Sequence, residues 1–280
     1  MKTLLTRAGI FLLLVSLSFS CTQYEKPTCR ISKFYWEGEW HKAQYNSAGR
    51  LLGLVAANSK VVFYYDAMSR LTSAAIYMGD ADPYYKFKFI HGPHGIIQAD
   101  KYHPSIWGTQ HTRMIYHYAS PTSVDYIISQ EFGNTEEINF QIRYDFTYTG
   151  GGNVKHIDGT SNVIHSDYFG LKFDDKRNPF RVLAAAVGNP VFFPIGTHAN
   201  FPMSSANNTY DISLMNRFSK NNPVYAEYEI PGVDPDQQFF TYTYDGNMAN
   251  TLKWDQVHYG TTDTEKYAFE FECGTFHAEE

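Results

Sequence analysis

The sequence predicts an all-β fold: one antiparallel meander sheet, twisted and curled, with a loop and short-helix insert near residues 180–207. Three observations predict it. The first is a doubled motif, Tyr45-Asn46-Ser47-Ala48-Gly49-Arg50-Leu51 and, twenty residues on, Tyr65-Asp66-Ala67-Met68-Ser69-Arg70-Leu71. Each copy reads as a strand end, a four-residue turn and a returning strand. Asn or Asp can bond the backbone two residues on, and Gly accepts the left-handed conformation that closes such turns. The second is composition: 22 Tyr and 21 Phe suit a pleated surface, and so many Tyr rings predict wide, half-wet sheet faces. The third is that turn signals recur about every ten residues, the spacing of an antiparallel meander.

In chain order, Lys2 and Arg7 flank the start of a short apolar run, Ile10 to Leu17, and Ser18-Phe19-Ser20 leads to Cys21. The run is too short to span a bilayer and reads as a secretory signal. The cysteine at its end resembles a bacterial lipobox, whose cysteine is diacylated and becomes the new N-terminus. Residues 1–20 are then a lipoprotein signal peptide, 21–28 a polar tether and 29–280 a single elongated β domain; plain secretion is the alternative. Losing Lys2 and Arg7 moves the formal charge from −6 to −8. That balance argues against nucleic acid, which demands clustered cations. It also argues against electrostatic attachment to anionic lipid, which leaves the acyl chains as the membrane contact. Of the three cysteines, Cys29 and Cys273 remain. In an oxidising compartment they form a candidate disulfide, with two separate buried thiols as the alternative.

Strands are expected from near Cys29 to Trp36, and at Trp40 to Tyr45, Arg50 to Ala56, Val61 to Tyr65 and Leu71 to Tyr77. Tyr85, Phe87 and Phe89 alternate with Lys86 and Lys88, a period of two with one wet face. Residues 99–111 lack a steady period and predict an excursion loop around Trp107. Strands resume at Thr112, Val124 and Ile138, and Gly150-Gly151-Gly152-Asn153 is the most permissive turn. Val182 to Val187 is Ala-rich and predicts one or two helical turns. Pro190, Pro194 and Pro202 make residues 188–207 a long irregular loop, and five more strands follow between Thr209 and Glu272.

The paired Tyr-Asn/Asp-x-x-Gly/Ser-Arg-Leu units, on Tyr45, Gly49, Arg50, Tyr65, Asp66 and Arg70, resemble the YD repeats of RHS-type proteins. Those repeats build long coiled antiparallel sheets. Echoes recur as Tyr210-Asp211 and Tyr244-Asp245-Gly246-Asn247. Three further stretches resemble an uncharacterised Bacteroidota lipoprotein family carrying a domain of unknown function: Phe173-Asp174-Asp175-Lys176-Arg177-Asn178-Pro179-Phe180, Ser219-Lys220-Asn221-Asn222-Pro223-Val224 and Tyr267-Ala268-Phe269-Glu270-Phe271-Glu272-Cys273. The likeness covers residues 29–275 and implies an envelope protein; it implies no activity.

Catalytic patterns are weak. His91, His94, His103, His111 and His117 fall within 27 residues, but His91-x-x-His94 sits on a Gly-Pro turn, and no metal or cofactor is expected. No Gly-x-Ser-x-Gly elbow is present. The carboxylate pairs Glu136-Glu137, Asp174-Asp175, Asp234/Asp236 and Glu270/Glu272 could serve a glycosidase; the last pair would share a strand face about 7 Å apart. Trp36, Trp40, Trp107 and Trp254 could offer stacking faces to sugar rings, or could simply pack the sheet.

The leading expectation is therefore a non-enzymatic cell-envelope lipoprotein, attached to the outer membrane through Cys21. It would present a Tyr-rich sheet to a glycan or protein partner, or act as a scaffold. The alternatives are a carbohydrate-active hydrolase and an accessory subunit of an outer-membrane complex.

Overall fold

A computed structural model describes residues 29–274 except 37, 80–81, 106–107, 134–136, 163–164, 190–217, 230–231, 233 and 259. The signal peptide, tether, Cys21, Trp107, Tyr210-Asp211 and most of the expected 188–207 loop lie outside the described residues.

Sixteen described strands follow one another around the molecule. They are β1 (Cys29–Trp36), β2 (Glu39–Tyr45), β3 (Leu51–Val55), β4 (Ser59–Tyr65), β5 (Leu71–Met78), β6 (Tyr85–Gly92), β7 (Gly95–Ser105) and β8 (Gly108–Ser120). Then come β9 (Ser123–Phe132), β10 (Ile138–Tyr148), β11 (Val154–Ser161), β12 (His165–Arg177), β13 (Asn221–Glu229), β14 (Asp236–Asp245), β15 (Met248–His258) and β16 (Thr261–Cys273). Helix α1 (Pro179–Ala186) lies between β12 and β13. Residues 99–111, expected as an excursion loop, belong instead to the β7–β8 pair.

Each strand pairs antiparallel with its sequence neighbours, as in a meander, but the sheet has no free edge. β1 pairs with β16 from Cys29 opposite Cys273 to Tyr35 opposite Ala268, so the open single sheet is corrected to a closed barrel.

Bulges at one end of the wall supply a physical reason for closure. The register slips at Tyr45, Tyr65, His91, Tyr118, Tyr148 and Tyr244. Each of these residues stands at the end of an even-numbered strand, across from the first residues of the next strand. A bulge adds a residue to one strand and increases local twist and bend. Repeated at every second connection along one end, it curls a meander until its edges meet.

The aromatic side chains then tie each hairpin to the one before. Tyr45 Oη donates to the Ile31 carbonyl at 2.7 Å, Tyr65 Oη to Leu51 at 2.5 Å, Tyr118 Oη to Ile96 at 2.7 Å and Tyr148 Oη to Val124 at 2.9 Å. His91 Nε2 takes the corresponding place, 2.6 Å from the Leu71 carbonyl. The aliphatic residues that present these carbonyls are 0–1 % exposed. Burial raises the pKa of all four tyrosines well above the usual phenol range, so each stays a protonated donor. Removing one hydroxyl leaves a buried carbonyl short of its donor, at a cost of about 1–2 kcal/mol. Tyr65→Phe is therefore expected to lower the urea midpoint by that equivalent; an unchanged midpoint would show that the hydroxyl adds nothing.

The two faces of the wall are sharply different. Inward rings such as Tyr85, Phe87, Tyr116, Tyr144, Tyr168 and Trp254 are buried in one core with the apolar face of α1. The tyrosines expected on wet faces thus include many that are shut from water. Outward positions carry Lys88, Arg113, Arg143 and Lys253 near the middles of their strands, together with Asp145 and Asp255. Arg143 pairs with Asp145 at 2.6 Å and Lys253 with Asp255 at 2.6 Å. No described helix is long and apolar enough to cross a membrane.

Candidate functional site

Three separate sequence motifs meet at the barrel end that holds both termini of the wall. The chain from Phe173 to Phe180 leaves β12 and enters α1. Asn178 caps the helix by accepting from the Phe180 amide at 2.9 Å, and Pro179 fits the first turn, where no amide donor is needed. The stretch Ser219 to Val224 returns into β13 beside it. Asn178 Nδ2 donates to the Ser219 carbonyl at 3.2 Å, and Asn221 Nδ2 donates to the Lys176 carbonyl at 2.9 Å. Asn222 donates to Asp174 from its amide at 3.3 Å and from Nδ2 at 3.2 Å, and Tyr244 Oη donates to the same carboxylate. Burial, with this bond second, holds the Tyr244 hydroxyl above its ordinary range. The Gly-rich turn before β11 is pinned here too, since the Asn221 amide donates to Asn153 Oδ1 at 2.8 Å.

Outside this network lies an open cleft of about 710 Å³, lined by Asp175, Arg177, Arg181, Lys220, Asn221, Asp245, Asn247 and Met248, with Cys29 and Cys273 at its edge. The two cysteines are joined in a disulfide that closes the first rung of the β1–β16 seam. Its polar, mixed-charge lining suits a hydrogen-bonding ligand; its carboxylates Asp175 and Asp245 stand among cations.

The doubled turns lie at this same end. In the first, the Gly49 amide donates to the Asn46 carbonyl at 2.9 Å and Asn46 Oδ1 accepts from the Arg50 amide at 2.8 Å. In the second, Ser69 donates to the Asp66 carbonyl at 2.9 Å, and Asp66 accepts from Met68 and Arg70 amides at 2.9 Å each. The Arg70 amide bond, aided by its side chain, lowers the Asp66 pKa. Gly49 and Ser69 both take positive φ, 76° and 58°, the backbone the turn requires. Arg50 lies against Gly188 just past α1; a Cβ there would meet Arg50 Nη1 at 2.6 Å. A cation at that place favours the helix C-terminus.

The tryptophans do not form one platform. Trp36 and Trp254 point into the core at 5 % exposure each, whereas Trp40 is 42 % exposed on the outer wall against Tyr35. The carboxylate pairs are likewise dispersed. Glu270 bonds Lys33 at 2.8 Å and Glu272 bonds Arg30 at 3.0 Å, both across the seam. Asp236 is buried in the inner wall beside the β13–β14 register, and Glu136 lies outside the described residues. Among the histidines, His91 belongs to the ladder, His111 sits 3.1 Å from Asp100, and His117 is 3.7 Å from Asp125. On the inner wall, burial pushes Glu131 up to about 7, with Lys101 acting weakly the other way. Lys101 itself stands 4.1 Å from the centre of the Tyr85 ring.

One cluster escaped the sequence reading. His156-Ile157-Asp158 on β11 and His165-Ser166-Asp167 on β12 are the same His-x-Asp pattern on adjacent strands. Alternation places all four polar side chains on the outer face, and Asp158 stands directly opposite Asp167. The available signal was the repeated tripeptide nine residues apart around a turn.

No family model and no curated protein matches the chain. Among solved structures, a porin-like protein from Bacteroides vulgatus is 10 % identical, covers 86 % of this chain and 98 % of its own, and has a TM-score of 0.52. A porin-like protein from Bacteroides uniformis is 12 % identical over 86 % and 98 %, with a TM-score of 0.47. A TcdB2-TccC3-Cdc42 complex is 15 % identical over 85 % of this chain and 13 % of its own, with a TM-score of 0.35. At these identities the similarity is one of fold.

Proposed function

We propose that the chain is a non-enzymatic cell-envelope lipoprotein, anchored by acyl chains at Cys21 in the outer membrane, whose barrel stands in water as a binding or scaffolding body. The observation that carries this reading is the sidedness of the wall. A membrane-spanning barrel turns an apolar band outward and polar residues inward. Here the order is reversed, with Lys88, Arg113, Arg143 and Lys253 outward and the aromatic core inward. Facing lipid, each such cation costs about 2–4 kcal/mol at mid-membrane, so four would cost on the order of 10 kcal/mol. This sidedness supports a barrel that stands in water, with the acyl anchor as its membrane contact.

A tether of eight residues supports a reading of which end meets the membrane. Residues 21–28 extend at most about 28 Å, so Cys29, the seam disulfide and the 710 Å³ cleft would lie toward the bilayer. Glycan and protein are the partner classes that such a polar, mixed-charge cleft suits. Three of the carboxylates expected of a hydrolase are taken up otherwise, Glu270 and Glu272 by seam ion pairs and Asp174 by the helix clamp, and the cleft's Asp175 and Asp245 stand beside Arg177, Arg181 and Lys220. That favours binding over catalysis. Metabolic labelling with a radioactive fatty acid tests the anchor. Label is expected to follow the wild-type chain and to vanish in Cys21→Ala; label retained in that variant, or absent from the wild type, contradicts it.

A further inference from the structure

We propose that His156, Asp158, His165 and Asp167 form a binding site for a divalent transition-metal ion of the zinc class on the outer wall, bridging β11 and β12. One ligand atom each from Asp158, His165 and Asp167 lie within 4.8 Å of one another. His165 Nε2 is 3.4 Å from Asp167 Oδ2, His165 Nδ1 is 3.5 Å from Asp158 Oδ1, and His156 Nε2 is 3.3 Å from Asp167 Oδ1. These spacings are longer than good charge-assisted hydrogen bonds. One ion takes one ring nitrogen of His165, and the 3.4 Å between its Nε2 and Asp167 Oδ2 is the edge of a zinc tetrahedron, whose ligands about 2.0–2.1 Å from the metal stand about 3.4 Å apart.

Two features of the cluster ask for a cation. Asp158 and Asp167 oppose one another directly across the strand pair, an arrangement of like charges that destabilises a sheet. Asp167 Oδ1 is moreover shut from solvent and accepts no hydrogen bond, although His156 Nε2 stands beside it. A divalent ion answers both, since it balances two carboxylates and takes the orphaned oxygen as a ligand. Two imidazoles with two carboxylates suit zinc, nickel or copper more than magnesium or calcium, which prefer all-oxygen sites. Thr160 Oγ1 donates to Asp158 Oδ1 at 3.0 Å, the outer-layer bond that holds a ligating carboxylate in place. Both strands belong to the closed wall, which holds the four residues in reach of one another while their half-exposed side chains rotate to converge on one ion.

The test uses the tag-free mature chain, stripped with EDTA and titrated with zinc chloride in a calorimeter. One saturable equivalent is expected, with a melting temperature that rises on saturation. Asp167→Asn and His165→Gln should each weaken that binding at least tenfold, while His117→Ala, on an exposed histidine elsewhere on the outer wall, should leave it unchanged. Melting curves of the variants in EDTA establish that they fold, and the outward position of the cluster predicts that they do. No saturable binding by the wild type would overturn the proposal, as would equal affinity in the Asp167 and His165 variants, which would locate the ion on other histidines.

Discussion

Breaking the Cys29–Cys273 bridge, by reduction or by the double change Cys29→Ser with Cys273→Ser, is expected to lower the melting temperature by about 10 °C. The two residues are 244 apart in sequence, and the chain-entropy relation for so long a loop gives about 5.5 kcal/mol, with about 2–4 kcal/mol typical of measured bridges. In a domain of this size, 1 kcal/mol moves the midpoint by about 2–4 °C. The bridge also sits where the wall is most exposed to opening. β1 and β16 come from opposite ends of the chain, and their seam is otherwise held by backbone pairing, by the buried Phe34 ring stacked on Phe269 at 5.3 Å, and by the ion pairs Arg30–Glu272 and Lys33–Glu270. Both ion pairs are substantially exposed and add little. Hydrogen exchange in the reduced chain should therefore accelerate first in β1 and β16. A melting shift below about 2 °C, with the seam still protected, would mean that the barrel closes without its staple.

Phe180→Ala is expected to cost about 3–5 kcal/mol, the usual range for removing a buried aromatic ring. Phe180 is 5 % exposed and stands edge-on to Phe269 at 5.7 Å and to Tyr267 at 6.4 Å. Those two rings belong to β16, so Phe180 joins α1 to the closing strand. Leu183 and Ala184 are wholly buried beside it. Losing the ring leaves a cavity between the helix and the wall that a barrel fixed by sixteen strand pairings cannot collapse to fill. Urea unfolding should show the loss in the midpoint, and Phe180→Leu should recover most of it. A cost under 1 kcal/mol for the alanine variant would show that the helix lies against the wall without supporting it.

The local parts of this structure were legible in the sequence because turn chemistry is local. Asn46, Gly49 and Asp66 announce their hairpins through hydrogen bonds that span two to four residues. Closure was not legible, since it depends on one-residue bulges and on pairing between residues 29–35 and 268–273. The repeat also extends further than its letters. Tyr118 with Val124 and Tyr148 with Val154 keep the spacing of Tyr45 with Leu51, while the Asn/Asp and Arg that mark the first two copies are gone. Only a ring whose polar atom reaches the carbonyl and the buried aliphatic residue are needed for the ladder, so the turn residues between them were free to change.

A period of two separates two faces of a strand but does not say which is wet when the residue is amphipathic. Tyr composition thus pointed to open surfaces, whereas Tyr116, Tyr144 and Tyr228 are in the core. In the cleft, the stretches 173–180 and 219–224 stood out as motifs. Their joining through Asn178, Asn221, Asn222 and Asp174 is a contact across more than forty residues that spacing alone cannot supply. The His-x-Asp pair was visible in the letters, but only the β11–β12 register brings its two copies face to face.

The most direct test of a water-facing barrel is sedimentation of the Cys21→Ala chain, expressed with its signal and released by lysis without detergent. With Lys88, Arg113, Arg143 and Lys253 outward and the aromatic core inward, the chain is expected in the soluble fraction as a folded, monodisperse species. A Cys21→Ala chain that stays with the membrane pellet and leaves it only in detergent would contradict the account, because it would place the charged wall in lipid.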